Sequence, residues 1–325
     1  MTLLLQQIGV SVVGFSLKPE KNSLYDRANL EGKIPEKFAD IRNYKVLKKF
    51  IEKHKPSVIF HMAAQPLVLE SYKIPLETFD VNVMGTANLL DATFHFSAVK
   101  VVVVVTTDKV YRNDNSGQSF VESDPLEGKD PYSASKVGTE SVVAAWQNVA
   151  EISGGPKIVT VRAGNVIGGG DFGKDRLLPD IIRSFVSKKP LEIRNPMGTR
   201  PWQHVLDVNT AYLLTVEKLL EGGDISAINF GPKKESLNVS EIVKLSEEIL
   251  EFKSNYIDKS RKKAHKLEAD SLNLNSNRAF DELNWRPKLN QSEALTLTLK
   301  WWKKVLSNEA DPKAATLMDI QGFLI

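Results

Sequence analysis

The stretch DPYSASK at 130–136 sets a phenol and an ammonium four residues apart. Asp130 and Pro131 have the residue types of an N-cap and a first helical position, which predicts a helix start there with Tyr132 and Lys136 on one face. A phenol with an ordinary pKa of about 10 is a poor base at neutral pH, and a neighbouring ammonium favours its phenolate. The chemistry such a pair offers is removal of a proton from a hydroxyl group. Alone, a Tyr-x-x-x-Lys spacing is common on helix surfaces. A second cluster narrows the reading: TTDKVY at 106–111 places Thr107, Asp108 and Lys109 directly after VVVVV, the most apolar run in the chain, and Tyr132 follows Thr107 by 25 residues. In isolation that cluster reads as a satisfied strand-end turn; with Tyr132 and Lys136 it is a candidate acid–base set.

These residues need elements that bring them together. Short Val-, Ile- and Phe-rich runs, VSVVGFS (10–16), SVIFHMAA (57–64), KVVVVVTTDKVY (100–111) and KIVTVRAGNVIG (157–168), alternate with longer stretches. The stretches YKVLKKFIEKH (44–54), PLETFDVNVMGTANLLDATFHF (75–96) and PYSASKVGTESVVAAWQNVAE (131–151) carry apolar residues at helical spacing. Continuous apolar strands alternating with helices predict a doubly wound, Rossmann-like α/β unit with a parallel sheet over residues 1–165. Residues 166–325 are richer in loops and predict a smaller α+β substrate domain, with parts of 202–230 returning to the first unit. Ligands of open parallel sheets bind beyond the carboxyl ends of the strands. Three such ends are polar and crowded: AAQPLV (63–68), TTDKVY and the start of DPYSASK.

Composition narrows the function further. The net charge of +3 comes from 43 basic and 40 acidic residues spread along the chain, with RKK at 261–263 as the single dense basic run, read as a solvated face. No nucleic-acid partner is expected. The chain has no cysteine, which removes disulfides, thiolate metal sites and a cysteine nucleophile, and no metal site is expected. Apolar runs are far shorter than a membrane span, so a soluble cytoplasmic protein is expected.

The order of DIR (40–42), HMAAQPLV (61–68), NVMGTANLL (82–90), TTDKVY, DPYSASK, VRAGNVIGGGD (161–171), DRLLPDIIRSF (175–185), IRNPMGTRPWQHVLD (193–207) and LNWRP (283–287) resembles the extended short-chain dehydrogenase/reductases. Within them it is most similar to the nucleotide-sugar 4,6-dehydratases that act on CDP-glucose in deoxysugar biosynthesis. The resemblance implies NAD as cofactor and CDP-glucose as substrate, and gives each residue a role. Tyr132 takes the proton of the sugar's carbon 4 hydroxyl, Lys136 lowers the tyrosine pKa and holds the nicotinamide ribose, and Thr107 hydrogen-bonds the sugar oxygen. Asp108 is the implied acid for the departing carbon 6 hydroxyl. Lys109 either takes the carbon 5 proton, which needs a depressed pKa, or stabilises the enolate as a cation. Asp40 and Ile41 are implied adenine contacts, and Ala63, Ala64 and Gln65 lie near the dinucleotide. Asn165, Arg194 and Arg200 are implied contacts to the nucleotide diphosphate. The helices over 75–96 and 131–151 correspond to the family's dimer-forming pair and imply a homodimer. Leu69 stands where a basic residue is expected, and His204 is assigned to packing or hydrogen bonding. Alternatives within reach of the same sequence are another epimerase or dehydratase of the superfamily, or a nucleotide-sugar-binding pseudoenzyme.

One match to G-x-G-x-x-G occurs, at Gly168, Gly170 and Gly173. It does not follow the first strand or open a helix directly, so it is read as a substrate-side loop. The resemblance places the family's first strand and glycine loop ahead of residue 1, and no acid directly follows Ser16, near where a ribose-binding carboxylate is sought.

Overall fold

The computed structural model describes residues 1–193, 195–232, 237–254, 256–258 and 272–325. Arg194 and the basic run at 261–263 lie outside the described residues.

Six parallel strands form the first unit. β1 (Gly14–Ser16) pairs with β2 (Glu36–Phe38), and β3 (Val58–His61), β4 (Val101–Val105), β5 (Lys157–Ala163) and β6 (Ala227–Phe230) form a four-stranded sheet in the order β6-β5-β4-β3. The VVVVV run is continuous because both faces of β4 are covered. Val101 and Val103 pack with Val159, Val161, Ile228 and the helix Val205–Leu220 on one face. Val102 and Val104 pack with Leu47, Ile51, Leu89, Leu90 and Val143 on the other. Helices Tyr44–His54 (α1), Gly85–Phe94 (α2) and Pro131–Ser153 (α3) supply that second layer, and Val205–Leu220 is α4. Both α4 and β6 belong to the main sheet unit, so the chain returns to it after residue 204.

α3 starts as its sequence dictates. The Asp130 side chain accepts from Ser133 N and Pro131 occupies the first turn, while Gly154 closes the helix at φ 70°, in the left-handed region that favours glycine. Its buried positions Tyr132, Ser135, Lys136, Thr139, Glu140 and Val143 follow helical spacing, yet most are polar. The side that faces the sheet is therefore a polar seam rather than an oil-like stripe. Before α2 the backbone makes one π-helical turn, Asp80–Met84, of the kind that often marks a functional site.

The other half packs around a second core built from Leu178, Ile181, Trp202, Ile242, Leu295, Trp301 and Trp302. Among the described residues no helix is long and apolar enough to cross a membrane, and no group of three or more His, Asp or Glu is placed to hold a metal.

Candidate functional site

β4 ends at Val105, and the chain turns at once into a single 3-10 turn, Asp108–Val110. Thr107 caps that turn: its Oγ1 accepts from Lys109 N at 3.4 Å and donates to Asp108 Oδ1 at 3.0 Å. The Thr107 side chain is also hydrogen-bonded to Tyr132 at the start of α3. Strand end and helix start thus meet side chain to side chain, around a cavity of about 450 Å³. Thr107, Asp108, Lys109, Tyr132, Asn165 and Arg200 all line it, as does Leu69.

Burial sets the electrostatics of this corner. Asp108 is 3% exposed, and burial raises its carboxyl above the ordinary range, opposed by Lys109, the Thr107 hydrogen bond and the Arg200 charge. A carboxyl kept neutral can donate a proton at neutral pH. The Tyr132 phenol is pushed up to about 12 by burial, opposed by its bond to Thr107 and by the charge of Arg176. Lys136 lies one turn further and 6% exposed; burial lowers its ammonium to about 8, and Glu140 pulls it back up. Its Nζ donates to Val105 O at 3.0 Å. An ammonium has three donors, so two remain for a diol beside Tyr132.

The loop after β3 is pinned by a residue that motif reading passes over. Asn82, on the π-helical turn, accepts from Gln65 N at 2.8 Å through Oδ1 and donates through Nδ2 to Gln65 O at 3.1 Å and Ser135 Oγ at 2.8 Å. One buried amide therefore ties the 63–65 loop to α3. The Gln65 side chain turns back on its own loop, donating to Thr78 Oγ1 at 2.9 Å and accepting from Leu67 N at 2.7 Å. Ala63 and Ala64 precede it in the same loop; like Gln65 and Lys136, they are not among the residues that line the cavity. Tyr132 N donates to Ser71 Oγ at 3.1 Å, a further tie to the segment after that loop.

Asp40 and Ile41 sit apart from this cavity. The Asp40 carboxylate accepts from Arg42 N at 2.8 Å, Nε at 3.0 Å and Nη2 at 2.6 Å, which holds it below the usual carboxylate range. Ile41 is buried in the core beneath α2. Asn165 accepts through its backbone O from Gln203 N at 3.0 Å, which brings the two substrate-side loops together. Arg200 Nη1 donates to Thr199 O at 2.7 Å. His204 is 2% exposed and caps α4, its Nδ1 accepting from Leu206 N at 3.3 Å, and burial lowers it to about 4. The glycines at 168, 170 and 173 follow the short strand Val166–Ile167 and precede the helix Leu177–Ser187, whose N-cap is Arg176.

Sequence reasoning passed over Arg176, Trp202 and Tyr212, which line the cavity. Arg176 and Trp202 lie in quoted motifs, so their signal was present; Tyr212 sits in an apolar helix and gives none. The residues present suit the nicotinamide–ribose half of NAD: Tyr132 lines the cavity at the end of a parallel sheet, and Lys136, one turn further along α3, holds its Nζ against the carbonyl of Val105, the last residue of β4.

The profile of the NAD dependent epimerase/dehydratase family matches residues 1–231. The CDP-glucose 4,6-dehydratase of Salmonella typhimurium is 38% identical over 319 residues, covering 95% of this chain and 88% of that protein. The dTDP-glucose 4,6-dehydratase of Haemophilus influenzae is 28% identical over 286 residues, 81% of each chain. Among solved structures, a UDP-glucose 4-epimerase of Thermotoga maritima superposes with a TM-score of 0.79 at 24% identity, covering 93% of this chain and 94% of the other. A dTDP-glucose 4,6-dehydratase of Streptomyces venezuelae, solved with NAD bound, gives 0.78 at 23% identity over 90% and 88%. Fold and sequence profile agree, and the chain belongs to the NAD dependent epimerase/dehydratase family.

Proposed function

We propose that the protein is an NAD-dependent hydro-lyase, a nucleotide-sugar 4,6-dehydratase acting on CDP-glucose. The observation that carries this reading is the Asp108 carboxyl, raised by burial, beside Lys109 and opening on the same cavity as Tyr132. An epimerase needs a base for the carbon 4 hydroxyl but no acid to expel a hydroxyl from carbon 6. The 38% identical relative has the name that this pair requires.

NAD, when bound, accepts hydride from carbon 4 of the sugar and returns it at carbon 6. Tyr132 takes the carbon 4 hydroxyl proton as the ketone forms, with Thr107 holding that oxygen and Lys136 favouring the phenolate. The ketone acidifies carbon 5. Asp108 gives its proton to the carbon 6 hydroxyl, which leaves as water, and Lys109 takes the carbon 5 proton or stabilises the enolate. Asn165, Arg194 and Arg200 are assigned to the diphosphate, where an Arg fork suits the geometry. The 63–65 loop, through Ala63, Ala64 and Gln65, is assigned to the dinucleotide, and the Asp40–Ile41 corner to its adenine end.

Incubation with CDP-glucose and NAD should yield the 4-keto-6-deoxy sugar, seen by its ultraviolet absorbance in alkali and a mass loss of one water. A 4-epimer of unchanged mass overturns the dehydratase reading in favour of an epimerase. Asp108→Asn should lower turnover about 10²- to 10⁴-fold, the range for loss of a general acid. Lys109→Met should also lower it, and full turnover by this variant removes Lys109 from both roles.

A homodimer is proposed through the helices around 75–96 and 131–151. Leu76 is 85% exposed and Ile152 88% exposed, and Phe79, Met84 and Val149 add exposed apolar surface on the same two segments. Sedimentation velocity should give a dimer for the parent chain and a monomer for Leu76→Glu/Ile152→Glu. A parent chain that sediments as a monomer at micromolar concentration rejects this surface.

A further inference from the structure

α3 carries a third buried ionisable residue beyond Tyr132 and Lys136. Glu140 follows Lys136 by one turn and meets Arg162 of β5, with Nε to Oε1 at 2.9 Å and Nη2 to Oε2 at 2.8 Å. The two side chains are 6% and 5% exposed. Thr106 Oγ1 donates to Oε1 at 2.6 Å and Thr160 Oγ1 to Oε2 at 2.9 Å. One carboxylate thus accepts four hydrogen bonds, from β5 and from the end of β4. Arg162 Nη1 continues the network to Tyr111 Oη at 2.8 Å, and Tyr111 donates to Asn229 Oδ1 of β6 at 2.7 Å.

Removing two charges from water is costly, and well-packed apolar residues in place of a buried ion pair often give an equally stable fold. The strands around this pair are Val- and Ile-rich, so stability alone does not call for Glu140 and Arg162. Their placement suggests what they add. Thr106 directly precedes Thr107, and Lys136 Nζ donates to the carbonyl of Val105, one residue earlier. Glu140 and Lys136 therefore grip the 105–107 corner from adjacent turns of the helix that carries Tyr132. The titratable groups that interact with Lys136 are Glu140 on its own helix and His61 on β3, which burial keeps neutral. Glu140 is the anion among them.

We propose that Glu140 is a positioning residue: clamped by Arg162, it docks the Thr106–Thr107 corner on the catalytic helix and supplies the counter-charge for the Lys136 ammonium. The proposal rests on the dehydratase reading for its effect on turnover, but not for its effect on Lys136.

Glu140→Gln alone strands Arg162 and risks unfolding, so the deciding variant is Glu140→Leu/Arg162→Met, which removes both charges and fills the space. NMR titration of ¹³Cε-labelled lysines, with Lys136 assigned by its absence in Lys136→Met, reads the charge directly. In the folded double variant the Lys136 midpoint should fall by at least one pH unit, a tenfold change in proton affinity. With CDP-glucose, kcat should fall at least tenfold with KM within about twofold. Thr106→Val cuts the 2.6 Å link from the corner to Glu140, along with a 3.5 Å contact to Val161 O, and should lower kcat at least threefold while leaving the Lys136 midpoint in place. An unmoved Lys136 midpoint in the double variant overturns the counter-charge, and full kcat in Thr106→Val overturns the docking role. A lowered midpoint in a chain whose parent never turns over CDP-glucose supports Glu140 and rejects the dehydratase reading instead.

Discussion

Tyr132→Phe is expected to lower dehydratase turnover by about 10²- to 10⁴-fold, the usual worth of a positioned proton-transfer group. The substitution removes one oxygen, the one that interacts with the Thr107 side chain. The ring stays buried at the first turn of α3, and the backbone tie from Tyr132 N to Ser71 Oγ is kept, so thermal midpoint and circular dichroism should match the parent. The parent enzyme also has a defined alkaline limit. Burial depresses the Lys136 ammonium to about 8, so raising the pH through that value removes the cation that the proposed mechanism assigns to favouring the phenolate. Turnover should therefore decline above about pH 8. Tyr132→Phe should lack this limb, because there is no phenol left for the ammonium to assist. Turnover by Tyr132→Phe within threefold of the parent would assign the carbon 4 proton to another base.

How much of this was legible beforehand depends on the range of each interaction. The strand at 101–105 was legible because five valines in a row have only one comfortable home, between two covered faces. The start of α3 was legible because Asp130 and Pro131 act within one turn of themselves. Glu140 and Arg162 were not, since a Glu on a helix and an Arg on a strand each read as solvated until the fold places them in contact, 22 residues apart. Asn82 escaped for a similar reason: its partners at 65 and 135 are distant in sequence, and the π-helical turn that aims it breaks the spacing a helical reading relies on. At Asp40 a local partner decides. The resemblance implied an adenine contact there, and Arg42, two residues on, engages its carboxylate with backbone and side chain. Sequence patterns report what a residue tends to do next to its neighbours, and the polar seam beneath the catalytic corner is made almost wholly of long-range pairs.

That seam also makes the approach to α3 intolerant of added bulk, and Gly128→Ala is expected to be the most damaging single methyl in the chain's catalytic half. A Cβ at Gly128 would stand 2.2 Å from Ala134 N and 2.3 Å from Ser133 C, the backbone of the first turn of the catalytic helix. Backbone atoms in a hydrogen-bonded turn cannot swing aside as a flexible side chain can. Either the loop before Asp130 lifts, and its cap on Ser133 is lost, or the turn carrying Tyr132 shifts. Overpacking of this kind costs about 1–3 kcal/mol and sometimes more. Loss of the cap adds about 1 kcal/mol. The variant should melt several degrees lower and show a fall in kcat well beyond its loss of folded protein, because Tyr132 moves relative to Thr107. Gly322→Ala is the matched control: it lies in the helix Pro312–Leu324 with nothing within 4 Å of an added Cβ, so it should leave kcat unchanged and stabilise by about 0.5–1 kcal/mol through helix propensity. Equal melting temperatures for the two variants would mean that the loop at 128 has slack and that the helix start is held by Asp130 and Ser71 alone.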